Sequence, residues 1–181
     1  MNQIAKFEKV SFDEYKKSVL SLIDGRVSIG SELDLMIKSI YDGIKLPKRA
    51  TVGSAGYDFF APLDLEIKSG ATIKIPTGIR VKINDGWVLQ CYPRSGLGFK
   101  YRMQLDNTVG IIDSDYYNSD NEGHIMAKFT NDGKEGKTIS IKKGQGYMQG
   151  VFVPYGITTD DDADGVRNGG FGSTTKSWEE H

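Results

Sequence analysis

The chain has 181 residues, with 23 Lys+Arg against 24 Asp+Glu and a formal net charge of −1. That length suits one domain with at most a modest appendage, and the balance excludes a duplex-coating protein, which needs a basic excess to neutralise phosphates. Apolar residues at 38% can build a core, so wholesale disorder is excluded as well, and a single cysteine rules out an intramolecular disulfide framework.

Residues 1–43 carry a helical pattern. The first residues lack an apolar signal segment, and no run approaches the ~18 residues of a membrane span. The expectation is a soluble, cytoplasmic protein, bacterial or phage-encoded. Ser11-Phe12-Asp13-Glu14 has capping-box spacing, with Ser11 as N-cap and Glu14 reaching back. Phe12, Tyr15, Val19, Leu22 and Ile23 then follow helical spacing up to Asp24-Gly25. A second start at Ser31, with Asp34 three residues on, precedes Leu35, Met36, Ile40 and Tyr41 and stops at Gly43.

From Ile44 the period becomes two. Leu63, Leu65 and Ile67 alternate, as do Ile73 and Ile75, then Ile79, Val81 and Ile83, each set ending at a glycine-bearing turn. Trp87–Tyr92 is an apolar run containing Cys91, which reads as a buried structural thiol. Further strands are predicted near Val109–Ile112, Ile125–Phe129, Thr138–Ile141 and Met148–Val153. Turn signals at this spacing imply an all-β sandwich or barrel over residues 44–154. Residues 155–181 form a polar arm. The 22 glycines exceed the ordinary share of roughly 7%, follow no collagen period, and punctuate apolar runs.

Several motifs are incomplete. Asp160-x-Asp162-x-Asp164-Gly165 opens like a calcium loop, but position twelve is Phe171 instead of a bidentate Glu. Gly136-Lys137-Thr138 lacks the first P-loop glycine and reads as a hairpin turn; Gly144-Gln145-Gly146 lacks a third glycine. Two histidines, His124 and His181, are too few for an ordinary zinc site or a Ser-His-Asp set.

Five polar or glycine-rich segments remain beside the strands: Ser54–Asp58, Pro93–Gly98, Asn107–Tyr116, Gly146–Gln149 and Arg167–Thr174. Together they supply cations and hydroxyls for phosphate, acids for a metal or water, and an aromatic flanked by glycines for a base. In this order and spacing, over about Ile44 to Thr175, they resemble the five motifs of the trimeric deoxyuridine triphosphatase (dUTPase) family. The resemblance implies a distorted jelly-roll subunit, a homotrimer with shared active sites, and Mg²⁺-dependent hydrolysis of dUTP to dUMP and pyrophosphate.

The same resemblance assigns roles. Asp113 would be the general base for a water attacking the α-phosphorus, with Asp115 its structural neighbour. Tyr116 would pack under the deoxyribose and exclude a 2′-hydroxyl. Asn107 and the backbone near Gly110 would read uracil. Arg94, Ser95, Gly96 and Gln149 would hold phosphates, and Asp58 would hold Mg²⁺ in the outer sphere through water. Phe171 would stack on uracil within a lid where Gly169, Gly170 and Gly172 let the backbone close. Arg167, Ser173 and Thr174 would reach the terminal phosphate.

The chain departs from the family pattern in three places. The insertion Tyr117–Glu122 would lengthen a hairpin and add two acids at the pocket rim. Arg167 lies one residue closer to Phe171 than is common, and Thr175 stands where a glycine usually follows. A deoxycytidine triphosphate deaminase relative is a weaker match, because that family has a second serine where Gly96 stands and lacks the Phe-Gly-Ser-Thr tail. A regulatory protein of the same fold is the other alternative, with residues 1–43 or 117–122 as the surface for a protein partner. No direct nucleic-acid binding is expected.

Overall fold

Alternation of apolar residues and the turns that follow it produce most of the predicted strands. The structure, a computed structural model, describes residues 2–23 and 30–167. In chain order the strands and helices are β1 (Ala5–Lys9), α1 (Phe12–Leu20), α2 (Ser31–Asp42), β2 (Lys48–Arg49), β3 (Tyr57–Phe60), β4 (Leu65–Ile67), β5 (Thr72–Pro76), β6 (Ile79–Ile83), β7 (Trp87–Pro93), α3 (Ser95–Tyr101), β8 (Met103–Leu105), β9 (Gly110–Ile112), β10 (Met126–Asn131), β11 (Ile139–Ile141) and β12 (Gly146–Pro154). A 3₁₀ turn, Ser114–Asn118, follows β9. Residues 168–181 lie outside the described residues, and with them Phe171, Gly172, Ser173 and Thr174; so do Asp24 and Gly25.

Few neighbours in sequence are neighbours in a sheet. Among the described residues the ladders are β1-β6, β5-β10-β8, β11-β4 and the five-stranded β2-β3-β12-β7-β9. These crossing connections make an all-β jelly-roll subunit. Inward residues of the strands, among them Phe59, Leu89, Phe129, Ile139 and Met148, form one buried core.

The N-terminal segment is part of that core. Val10, Tyr15, Leu33 and Ile37 are buried within it. It also opens with a strand that helical periodicity does not predict. Ala-Lys-Phe-Glu-Lys carries only one large apolar residue, and β1 exists because it pairs antiparallel with β6 from Ala5↔Ile83 to Lys9↔Ile79. Phe7 packs there on Tyr57, Phe59 and Phe152, with ring centroids 5.3, 5.8 and 5.7 Å away.

Both helices differ in detail from the expectation. Ser11 does cap α1, accepting the Glu14 N–H at 3.1 Å, but Glu14 does not reach back. Its side chain is buried and accepts from Ser18 at 3.0 Å. For α2 the N-cap is Gly30, and Ser31 is the first helical residue. The insertion does not lengthen a hairpin, because β9 and β10 belong to different sheets and the 3₁₀ turn bridges them. Gly136 similarly turns between β10 and β11, which do not pair.

Candidate active site

Register in the five-stranded sheet sorts the candidate residues into two groups. Asp58 on β3 sits opposite Gln149 on β12, which sits opposite Tyr92 on β7. Directly opposed residues share a face. Arg94 follows two residues after Tyr92, and its Nη1 donates to Asp58 Oδ2 at 2.8 Å. Gly56 matters through close approach: a Cβ there would meet Gln149 Oε1 at 2.7 Å, so a larger residue would push the amide aside. Arg94 is also the N-cap of α3, a helix that the sequence pattern missed because its residues, Ser-Gly-Leu-Gly-Phe-Lys-Tyr, have poor helix propensity. Ser95 and Gly96 form its first turn, where backbone N–H groups lack intrahelical acceptors. Arg94 and Gly96 line an open cavity of about 440 Å³.

The second group lies at the other end of β7. On β9, Gly110 pairs with Cys91 and Ile112 with Leu89, so Asp113 leaves the sheet beside Val88. A second cavity, of about 230 Å³, is lined by Asn107, Gly110, Ile112, Tyr116 and Arg167 over a floor that includes Cys91 and Met148. β9 is the last strand of its sheet, so its outer backbone edge faces this space. The adjoining turn bends sharply at Thr108, with φ 67°. Tyr116 is buried, which pushes its phenol pKa up and keeps it protonated. Cys91 is a structural thiol, buried and pushed up to about 12 by desolvation.

The distance between the groups follows from the ladder. From Val88 to Arg94 is six residues of strand, or roughly 20 Å at ~3.3 Å each. One chain therefore separates its cationic cluster from its own Asp113.

Arg167 is not found with the cationic cluster. Its Nη2 donates to Asp113 Oδ2 at 2.5 Å, its Nε lies 2.9 Å from Asp115 Oδ1, and the guanidinium is 5.8 Å from the Tyr116 ring centroid. Topology supplies the reason. β12 ends with Pro154 opposite Trp87, so the arm leaves the sheet at the Asp113 end. Two neighbouring carboxylates suit a guanidinium fork.

Among the described residues no group of three or more His, Cys, Asp or Glu could hold an ion. One carboxylate, Asp58, stands beside a cationic Arg94. That donor set fits Mg²⁺ bringing its own water and phosphate ligands, and it does not fit an all-protein cage.

Sequence patterns missed the supports of Tyr116. Asn121 and His124 contact its hydroxyl, and Ser18 and Glu14 stand behind His124. Of these pairings only Ser18–His124 is distant, 106 residues apart in the chain; the others are close in sequence but follow no recognised local motif.

Comparison with known proteins agrees with this architecture. Residues 42–175 match the dUTPase family model. The deoxyuridine 5′-triphosphate nucleotidohydrolase of Lactococcus lactis is 42% identical over 135 residues, spanning 73% of this chain and 89% of that protein. The corresponding Pectobacterium carotovorum protein is 40% identical over 140 residues, covering 73% and 88%. Among solved structures, the Streptococcus mutans dUTPase is 38% identical with a TM-score of 0.56, covering 65% of this chain and 90% of that one. The dUTPase from phage phi11 of Staphylococcus aureus shares the fold at 21% identity, with a TM-score of 0.56 and coverage of 70% and 94%. With three quarters of its length matched to the family model and relatives of about 40% identity, the chain belongs to the dUTPase family.

Proposed function

We propose that the chain hydrolyses dUTP to dUMP and pyrophosphate in sites completed between copies of itself. Membership of the dUTPase family carries the reaction. The observation that carries the assembly is the roughly 20 Å of β7 between Asp113 and Arg94. An α-phosphorus cannot lie against both groups of one copy, but it can lie between the Asp113 end of one and the Arg94 end of another. That this assembly is a homotrimer is what the family resemblance implies.

In this reading the outer edge of β9, with Asn107 beside Gly110, offers backbone and amide groups to the polar edge of uracil. Tyr116 forms the wall under the deoxyribose, leaving no room for a 2′-hydroxyl. Asp113 orients a water and takes its proton as the oxygen attacks the α-phosphorus; pyrophosphate departs on the opposite side. Its exposed carboxylate and its contact with Arg167 suit a group that must exchange partners when substrate arrives. Arg94, Ser95, Gly96 and Gln149 of the neighbouring copy hold the phosphate oxygens. Mg²⁺, held through water by Asp58, would neutralise phosphate charge and order the triphosphate for in-line displacement. Phe171, Gly172, Ser173 and Thr174 would close over base and phosphates, and Arg167 would leave Asp113 for the terminal phosphate.

Cytoplasmic action on the nucleotide pool fits a chain in which no described helix is long and apolar enough to cross a membrane. A purely regulatory role is not favoured. The segments suggested for a partner, 1–43 and 117–122, are joined to each other through Ser11–Glu122 and Glu8–Tyr117 bonds.

The test is pyrophosphate release from dUTP, UTP, dTTP and dCTP with Mg²⁺, run beside Asp113→Asn. Selective dUTP cleavage, reduced ~10²- to 10⁴-fold in the variant, is the expected result. Activity retained in Asp113→Asn would remove it as the base, and equal cleavage of UTP would remove Tyr116 as the sugar wall.

A further inference from the structure

The hydroxyl of Tyr116 is fixed from two sides. It donates to the His124 carbonyl at 2.9 Å and accepts from Asn121 Nδ2 at 2.7 Å. Asn121 belongs to the 117–122 insertion, and its Oδ1 accepts the Gly123 N–H at 3.2 Å. Gly123 closes this loop with φ 70°. A Cβ there would stand 2.7 Å from the Tyr116 carbonyl oxygen and 2.8 Å from Tyr117 Cα, so the returning chain touches the backbone of the tyrosine it secures.

The loop is itself anchored to the N-terminal segment. Glu122 accepts the Ser11 N–H at 2.7 Å and the Ser11 hydroxyl at 2.6 Å. It does so at φ 57°, a left-handed conformation that a non-glycine residue holds only at a cost. Tyr117 donates its hydroxyl to Glu8 at 2.7 Å, while Arg80 lies 3.6 Å from the Tyr117 ring centroid and donates to its carbonyl.

His124 is a second strut. Gly78 N–H donates to Nε2 at 2.8 Å, so the proton resides on Nδ1, which faces Ser18 Oγ at 3.0 Å; Ser18 in turn donates to Glu14. A buried chain of satisfied polar groups specifies a single arrangement.

We propose that Asn121 and Glu122 are positioning residues for sugar selection: the insertion and the N-terminal segment brace the Tyr116 ring, and the brace sets how sharply ribose is refused. The inference rests on Tyr116 being the wall under the sugar. A wall rejects a hydroxyl only to the extent that it cannot retreat, so discrimination depends on what stands behind it.

The experiment compares kcat and KM for dUTP and UTP across the full-length parent, Asn121→Asp, Glu122→Gly and Tyr116→Ala. Asn121→Asp keeps the acceptor for Gly123 and removes the donor to Tyr116. Glu122→Gly removes the Ser11 anchor while relieving the left-handed backbone, so loss of fold is not the expected consequence. Each is expected to raise the UTP:dUTP ratio of kcat/KM by roughly three- to tenfold, the scale of one hydrogen bond, chiefly through a lower KM for UTP and with little change in dUTP turnover. Tyr116→Ala should abolish discrimination. If it does while both brace variants keep the parent ratio, the brace proposal is overturned and the wall stands alone. Should Tyr116→Ala itself keep the ratio, the sugar-wall reading fails and the brace fails with it.

Discussion

The two ends of the five-stranded sheet solve different problems with different materials. At the Arg94 end, polar side chains are held by one ion pair, Arg94–Asp58, with the Arg94 side chain 43% exposed. Such a pair contributes little to stability and exchanges readily. At the Tyr116 end, the selecting side chain is buried and tied through His124, Ser18 and Glu14 into α1. Charge can be gathered by groups that move, because a triphosphate attracts them wherever they start. Steric refusal of one hydroxyl needs a group that stays put.

The largest test of this contrast is complementation. Arg94→Ala and Asp113→Asn should each lose most activity alone. Mixed after dissociation and reassembly, they should recover activity at about a quarter of the sites, on random association of copies. Absence of recovery, with mixed assembly verified, would mean that both ends serve one site within one chain.

A smaller effect separates the ends by pH. Burial lowers the His124 pKa from 6.5 to about 4, with the charge of Glu122 opposing the shift. Between those values the unfolded chain binds a proton that the folded chain refuses. The stabilisation is therefore complete above about pH 6.5 and is lost as pH falls toward 4, on the order of 3 kcal/mol in total. Denaturant titrations across that range should show the loss, and His124→Gln should flatten it. An unchanged slope in that variant would deny the brace its buried neutral imidazole.

The smallest expected effect belongs to the Arg94 end. Gly56→Ala should displace the Gln149 amide, raising KM for dUTP a few-fold while changing stability by less than about 1 kcal/mol. A large drop in melting temperature would show that this end is as rigidly built as the other.

Much of the chemistry is legible in the amino-acid sequence. The five segments carry their residue types in order; β4 to β6 follow from alternation and turn glycines, and β7 coincides with the apolar run Trp87–Tyr92. Other elements were hidden for definite reasons. β1 has too few apolar residues to alternate, and α3 is rich in glycine. The insertion looked like a longer hairpin with two rim acids, yet Glu122 accepts from Ser11, the N-cap of α1, 111 residues away in sequence. The contact of Arg167 with Asp113 and Asp115 was not legible either, and it arises because β12 releases the arm at that end of the sheet.

By itself, then, the sequence determined the all-β class, the family and the inventory of reactive groups, since periodicity and motif spacing are local properties of a chain. Tertiary structure alone decided which groups meet. Strand pairing depends on contacts between distant segments, and the register of β7 with β9 and β12 puts Asp113 and Arg94 at opposite ends of one sheet. The same long-range packing turned an N-terminal segment that read as an appendage into a wall of the core.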